Sequence, residues 1–465
     1  MNLFIFHRDL RYKDNTSLIE LTKQYKDITP IFIFEPKQID SKKNKYYSSN
    51  SVQFMIESLK ELNIDCPISY FYGHTLEVLK SLHKQFTINS IGFNIDYSPF
   101  ARQRDEEIIE WSDKNNIKIV AKEDYLLYDI LEGQTLKKDG TPYLIFTPYK
   151  NYLWNNLKVR DIDKFKSFNF ITPKKIESNE YYFNFKDSKQ FYIPNDKINV
   201  NGGRKNGLKI LANIDKFKNY SKCRDLLTYK TTFLGAHNHF STISIREVYW
   251  TIANKLGNKS GLVNELHWRQ FYYEISYRFP KTLQGQISDK QNAPLKSPYN
   301  KIKWSNKLLD AWCNAKTGFP LIDAGMRQLN TTGFMHNRNR MCVGSFGVKN
   351  LHLDWRLLEK YFATKLVDYD VMVNNGSWQW VAGCGTDSQP WFRIFNIWTQ
   401  AKKYDPDCEY IKFWIPELKD VPNEDIFEWY EAYEKWPNID YVKPIVNHDE
   451  TRKETIKMYS KALKS

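Results

Sequence analysis

The chain has 465 residues, six cysteines and a net charge of +14 at pH 7. That length carries two or three domains and a core large enough to need no disulfide staples. No run of about 18 apolar residues occurs, which excludes a membrane-spanning helix, and the cysteines form neither a CxxC pair nor a zinc-type set with histidine. The opening MNLFIFHRDLRYKD turns charged too early for a secretory signal, and it lacks the composition of a transit peptide. A soluble, reduced protein of the cytoplasm or nucleus, not a secreted one, is expected.

Short apolar runs at 3–6, 30–34, 68–72, 90–95 and 117–120 predict buried strands. Helix-like segments alternate with them. Val52, Met55, Leu59 and Leu62 share one helical face, and Ile108, Ile109 and Trp111 are expected on another. This alternation predicts an α/β domain over 1–130, a doubly wound parallel sheet in Rossmann style. Neither a G-x-G-x-x-G nor a P-loop follows the first strand; HRDLRYKDN stands there instead. Arg8, Asp9 and Arg11 could form a charged network at the strand end, and each taken singly reads as part of a surface ion-pair cluster.

Residues 131–200 read as a long irregular connector. From about 203 the spacing turns helical, in SIREVYWTIAN, LVNELHWRQFYYEISYRF, LIDAGMRQLN and DWRLLEKYFATKLV, so 201–465 is expected to be an all-α domain. Charge is divided unevenly. Residues 1–130 carry a net −2 and residues 131–465 a net +16, so a polyanion should meet the second part. A Lys-rich solvated surface would give the same imbalance.

Within the helical part, Glu265, Trp268 and Arg269 lie at i, i+3 and i+4, on one face. An amphipathic boundary helix would also explain them. Asn337 and Arg340 follow in GFMHNRNRM, then Asp368 and Asp370, then Asn374 and Trp378 four apart, with Trp380 rotated away. Buried polar groups need partners. A large ligand with many hydrogen-bonding edges would satisfy these together, and an isoalloxazine ring is such a ligand, wanting an amide near its reactive nitrogen and a cation–carboxylate pair near its rim.

Four stretches carry a resemblance: FHRDLRYKDN, DGTPYLIFTPYKNYLW, KTGFPLIDAGMRQLNTTGFMHNRNRM, and the run from DYDVMVNNGSWQWVAGCGTDSQPWFRIFN to IWTQAKKYDPDCEYIKFWIPEL. Together they identify the chain as resembling the photolyase/cryptochrome family along nearly its whole length. The resemblance implies an α/β antenna domain and a helical domain that binds FAD, active when reduced. It places Tyr220, Thr231, Thr232 and Leu234 at the FAD phosphates, and Arg269, Asn337, Arg340, Asp368, Asp370 and Asn374 around the rest. Asn374 would face the flavin N5 and Asp368 would pair with Arg340. Trp378, Trp355 and Trp304 would form an electron-transfer chain to the surface. Arg224, Glu265, Trp268, Asn337, Met341 and Trp380 would hold a flipped-out pyrimidine dimer, with Glu265 stabilising its radical anion.

The implied reaction is light-dependent electron transfer from reduced FAD to a cyclobutane dimer in UV-damaged DNA. Asn374 resembles the photolyases rather than the cryptochromes, which place Asp or Cys there. MHNR at 335–338 resembles the cyclobutane-dimer enzymes, because the (6-4) enzymes carry two histidines where this chain has His336 and Asn337. The alternatives are a blue-light photoreceptor of the cryptochrome type and a (6-4) photolyase. A monomer without an obligate protein partner is implied, as is a second chromophore (folate, deazaflavin or flavin) that DYSPFARQRD does not identify. One departure concerns the phosphate loop. TTFLG (231–235) has Gly235 where the family has a serine, so one phosphate contact is expected to be missing.

Overall fold

The computed structural model describes residues 1–164, 168–284 and 304–464. Residues 165–167 of the expected connector and 285–303 of the expected helical part lie outside the described residues. All five expected strands form: β1 (Asn2–Phe6), β2 (Asp27–Phe34), β3 (Ser69–Tyr72), β4 (Ser90–Asn94) and β5 (Lys118–Lys122). They run parallel in the order β3-β2-β1-β4-β5, reversing direction of progress between β1 and β4 as a doubly wound sheet does.

Side chains alternate across the sheet with period two. Phe4, Phe6, Phe32 and Phe34 point to one face and pack on Val52, Leu59 and Leu62 of the helix Ser49–Asp65. Leu3, Ile5, Ile31 and Ile33 point to the other, against Val78, Leu79 and Leu82 of Thr75–Phe86 and Ile108 of Pro99–Lys114. Both faces are covered, so the strands read as unbroken apolar runs. Met55 is half-buried and packs at the margin of the first cluster. Ile109 is 38% exposed, against expectation, because consecutive residues sit about 100° apart on a helix and Ile108 already faces the sheet. A two-residue strand β6 (Asn169–Phe170) adds in parallel to the start of β2, too short to leave a periodicity.

Beyond Phe170 the described residues form helices and loops, with one isolated bridge between Phe71 and Tyr182. Helices Gly261–Arg278, Asn337–Lys349, Trp355–Lys365 and Val371–Ala382 pack around the site described below. Gly376 permits the closest approach among them, since a Cβ there would lie 2.3 Å from Tyr272 Cδ1. No described helix is long and apolar enough to cross a membrane.

The α/β and helical parts are joined by a buried ionic cluster. Arg246 donates from Nε to Asp14 at 2.9 Å and from Nη2 to Asp124 at 2.8 Å. Arg11 pairs with Asp124 and donates to the Ser241 carbonyl at 3.1 Å, and Thr16 Oγ1 donates to Asp124 at 2.6 Å. All four charged side chains are essentially excluded from solvent. Arg11 therefore serves in a buried joint rather than in a surface cluster. Asp9 is also buried, accepting from Asn15 at 2.8 Å and Asn94 at 2.7 Å, and Arg8 donates to Asp96 at 2.7 Å and to the His239 carbonyl at 3.0 Å. Burial alone would raise the Asp124 carboxyl, but the charges of Arg11 and Arg246 hold it well below the usual carboxylate range.

Removing one member of such a cluster leaves buried charge unpaired. Arg246→Leu should cost roughly 3–5 kcal/mol, measured by chemical denaturation. A loss within about 0.5 kcal/mol, the range of an ordinary surface change, would show that the joint does not depend on the cluster. The depressed Asp124 contributes stability that is full above its unfolded pKa of about 3.9, and acid removes it as the pH falls through the lower folded value.

Candidate active site

Two cavities lie on either side of Asp370, which lines both. The smaller, about 440 Å³, is walled by the helices that carry the polar motifs. It gathers Arg224, Glu265, Trp268, Arg269, Asn337, Arg340, Met341, Asp368, Asp370, Asn374, Trp378 and Trp380. Helical periodicity accounts for much of this. Glu265, Trp268 and Arg269 share a face of Gly261–Arg278, and Asn374 and Trp378 share one of Val371–Ala382. Trp380 also borders the cavity, although it lies about 200° around the helix from Trp378. The cavity wraps a broad arc of that helix, from Val373 through Ser377 to Val381, with the two indoles on its flanks.

The other sequence-nominated residues fall outside this lining. Tyr220 begins the short helix Tyr220–Cys223, and Thr231, Thr232 and Leu234 lie in the loop before Gly235, which does line the cavity. Thr232 Oγ1 accepts from the Leu234 amide at 3.4 Å, and Phe233 between them adopts φ +56°, a left-handed conformation that bends the loop sharply. Trp355 is buried in the same hydrophobic cluster as Trp378, whereas Trp304 is 42% exposed.

The charges are tightly held. Arg340 Nη2 donates to both oxygens of Asp368, at 2.9 and 3.1 Å. Asp370 caps its helix by accepting from the Met372 and Val373 amides, and its other oxygen accepts from the Tyr273 hydroxyl at 2.5 Å. Burial opposes its charge, but a hydrogen bond from His239 and the charges of Arg269, His239 and Arg8 outweigh that, so it stays ionised far into acid. Arg269 Nη1 donates to the Tyr125 carbonyl at 2.6 Å, tying the site to the α/β part. At the mouth, Glu265 pairs with Arg224, and burial raises its carboxyl while Arg224 pulls it down. Trp268 stacks on Phe146 with centroids 3.6 Å apart. His336 does not line the cavity. It caps Asn337–Lys349, and burial lowers its imidazole to about 4, leaving it neutral near pH 7.

Sequence reading missed three residues here. Tyr272 was legible as the next position on the Glu265–Trp268 face. Asn238 carries no periodic signal, and Glu359 reads as one more charge on DWRLLEKYF, yet it accepts from Asn374 Nδ2 at 2.9 Å. The larger cavity, about 530 Å³, lies between the sheet and the helical part. Its walls include Phe34, Tyr46, Asp96, Phe100, Arg104, Tyr369 and Glu359, and so much of DYSPFARQRD. Both volumes suit organic ligands. Among the described residues no group of three or more acidic, histidine or cysteine side chains is set to hold a metal ion.

Residues 2–165 match the family described as DNA photolyase, and residues 262–461 match the FAD binding domain of DNA photolyase. A deoxyribodipyrimidine photo-lyase of Buchnera aphidicola is 33% identical, with 99% of this chain and 97% of that one covered. The chain belongs to the DNA photolyase family. Among solved structures, an archaeal photolyase from Sulfolobus tokodaii with two FAD molecules is 36% identical with a TM-score of 0.84, covering 99% of this chain and 100% of that one. A class III photolyase from Agrobacterium tumefaciens is 26% identical with a TM-score of 0.87, covering 100% and 98%.

The smaller cavity fits FAD on its own chemistry. Asn238 Oδ1 is buried on its wall with no protein partner, an acceptor that a ligand donor would satisfy. The Asn374 amide and the Arg340–Asp368 pair supply the polar groups a flavin ring requires. Gly235 acquires a reason here. A Cβ there would lie 2.9 Å from Asp368 Oδ2 and 3.1 Å from Asp368 Cβ, so a serine would displace the carboxylate that Arg340 holds. Gly235→Ala should keep unfolding stability within about 1 kcal/mol while lowering the flavin retained, read from the ratio of visible to ultraviolet absorbance. Full flavin content would show that Asp368 yields without consequence.

Proposed function

We propose that this photolyase-family protein splits cyclobutane pyrimidine dimers in UV-damaged DNA under blue light, with FAD in the smaller cavity. One observation carries the reading. The same cavity is lined by the Asn374 amide, the Arg340–Asp368 pair and, with them, three indoles and the Glu265–Arg224 pair. Bound in its reduced form, FAD supplies the light-driven electron donor. Arg269, Asn337, Arg340, Asp368, Asp370 and Asn374 hold it, with Tyr220, Thr231, Thr232 and Leu234 on its phosphate side.

The chain's own residues select and position the substrate. A dimer must leave the base stack to react, at a cost of a few kcal/mol that is least where the duplex is already distorted. The basic helical part binds phosphates without reading sequence. Trp268 and Trp380 give apolar walls for the flipped bases, and Asn337 and Met341 line the same cavity. Phe146 behind Trp268 keeps that wall rigid. Glu265, whose carboxyl is raised by burial, donates in its protonated form to the dimer as negative charge develops, and Arg224 both orients Glu265 and offers a cation on the substrate side. No side chain acts as a nucleophile.

Trp378, Trp355 and Trp304 are read as the path for electrons from the surface to the cavity. Trp378 is on the cavity wall, Trp355 is buried in the same core cluster and Trp304 is at the surface, positions compatible with that path. The larger cavity is read as the seat of a second chromophore in an antenna domain over 1–130, joined by a connector over 131–200 to a catalytic domain over 201–465. Its aromatic lining supports that reading, as does the light-harvesting FAD described for the Sulfolobus tokodaii protein.

The decisive assay mixes anaerobically reduced protein with oligonucleotides carrying a cyclobutane thymine dimer or a (6-4) product, under blue light with a dark control. Splitting of the cyclobutane dimer alone is expected. Glu265→Ala should lower dimers split per photon severalfold while DNA affinity changes little. Repair of neither lesion by flavin-loaded protein would move the reading to a photoreceptor. Trp304→Phe should block photoreduction of the oxidised protein but leave repair by chemically reduced protein intact, and normal photoreduction would break the proposed path.

A further inference from the structure

The wall between the two cavities contains a buried carboxyl, Glu359, that the repair reading leaves unused and that is hydrogen-bonded to Asn374. Asn374 faces the smaller cavity and donates from Nδ2 to Glu359 Oε1 at 2.9 Å. Glu359, on the helix Trp355–Lys365, is only 3% exposed and lines the larger cavity. A carboxamide has one donating end and one accepting end. While Glu359 accepts from Nδ2, the end of Asn374 left for the flavin is therefore Oδ1.

We propose that Glu359 is a positioning residue whose protonation decides which end of the Asn374 amide meets the flavin. This rests on the flavin reading of the smaller cavity. The ionised carboxylate can only accept, so it holds Nδ2 and turns Oδ1 toward the ring, matching an N–H at the ring edge. The protonated carboxyl can donate to Oδ1. The amide then turns over and presents Nδ2, matching a bare ring nitrogen.

The surroundings make both states accessible. A buried carboxylate is costly without a cation, and no described Lys, Arg or His pairs with Glu359. Burial pushes its carboxyl up to about 7, against the hydrogen bonds from Asn374 and, at 3.4 Å, from the Tyr369 hydroxyl. The ionisable groups facing this pair are Tyr369, Tyr46, which stacks on Tyr369 at 6.4 Å ahead of the helix Ser49–Asp65, and Asp370, which acts on Tyr369 at the start of the Asn374 helix. The packed helices Ser49–Asp65, Pro320–Thr332 and Asn337–Lys349 add no charge that shifts Glu359. Glu359 exchanges its proton on the side of the larger cavity, away from the substrate mouth.

The test is an infrared titration of flavin-loaded protein in the dark, paired with the flavin midpoint potential as a function of pH. Wild type should show a protonated-carboxyl band that disappears as pH rises through neutrality, and a break in the potential at the same pH. Glu359→Gln should lose both. Absence of the band in wild type, or persistence of the break in Glu359→Gln, overturns the proposal. Should that variant fail to keep its flavin, Glu359→Asp, one methylene short of Asn374, replaces it, with loss of the break expected and its persistence contrary. Flavin binding and dimer repair by wild type without any pH break would refute this inference alone, whereas failure of flavin binding or repair would refute the functional reading beneath it.

Discussion

The architecture depends on a cluster of buried charges. Arg11, Asp14, Asp124 and Arg246 sit where the sheet meets the helices, and Asp14 and Arg246 find their ionic partners only across that boundary. Apolar contact between the two parts is non-directional and would tolerate sliding. A bidentate guanidinium and its hydrogen bonds do not, because a shift of an ångström leaves a charge without its partner. The joint therefore sets position as much as stability. The absence of a phosphate-binding loop after β1 becomes intelligible. HRDLRYKDN occupies that turn and is spent on the interface, where Arg8 reaches the His239 carbonyl and Arg11 the Ser241 carbonyl.

From that joint, order passes to the cavity through short links. The Tyr125 carbonyl, next in sequence to Asp124, accepts from Arg269. Arg269 lies beside Asp370, whose carboxylate starts the helix that carries Asn374, Trp378 and Trp380. Asp370 combines a cap, an ionic partner and a wall of both cavities in one side chain. Two glycines close the arrangement by permitting contact, Gly376 against Tyr272 and Gly235 against Asp368. A family serine at 235 would supply a hydroxyl, but here the space it needs belongs to the carboxylate that Arg340 holds.

The sequence was most legible where one physical rule acts alone. Strands buried on both faces stand out as apolar runs, and Glu265, Trp268 and Arg269 meet because helical spacing requires it. It was least legible where tertiary context overrides a local pattern. Ile109 looks equivalent to Ile108 until a sheet occupies one side of the helix. Arg11 looks like a surface charge until the helical part covers it. Glu359 looks like a solvated charge until Tyr369 and Asn374 close over it. Residues linked to the cavity through the loop at 231–234, and Trp304 at the surface, rest on family resemblance, because neither spacing nor burial assigns them a task.

Charge placement separates holding from switching. Asp124, Asp368 and Asp370 each face at least one arginine; the charges of Arg11 and Arg246 keep Asp124 ionised across ordinary pH, and a hydrogen bond from His239 together with Arg269 does so for Asp370. Glu359 is buried to a similar degree with only an amide and a phenol for partners. The same low-dielectric surroundings that fix the paired carboxylates leave this one close to balance between its two states. A cavity wall built wholly of arginine–carboxylate pairs would be rigid in charge as well as in shape. On the proposed reading, one carboxyl without a cation lies against the amide assigned to the flavin, which would put the site's adjustable group next to the group whose hydrogen-bonding sense must change when the ring gains or loses a proton.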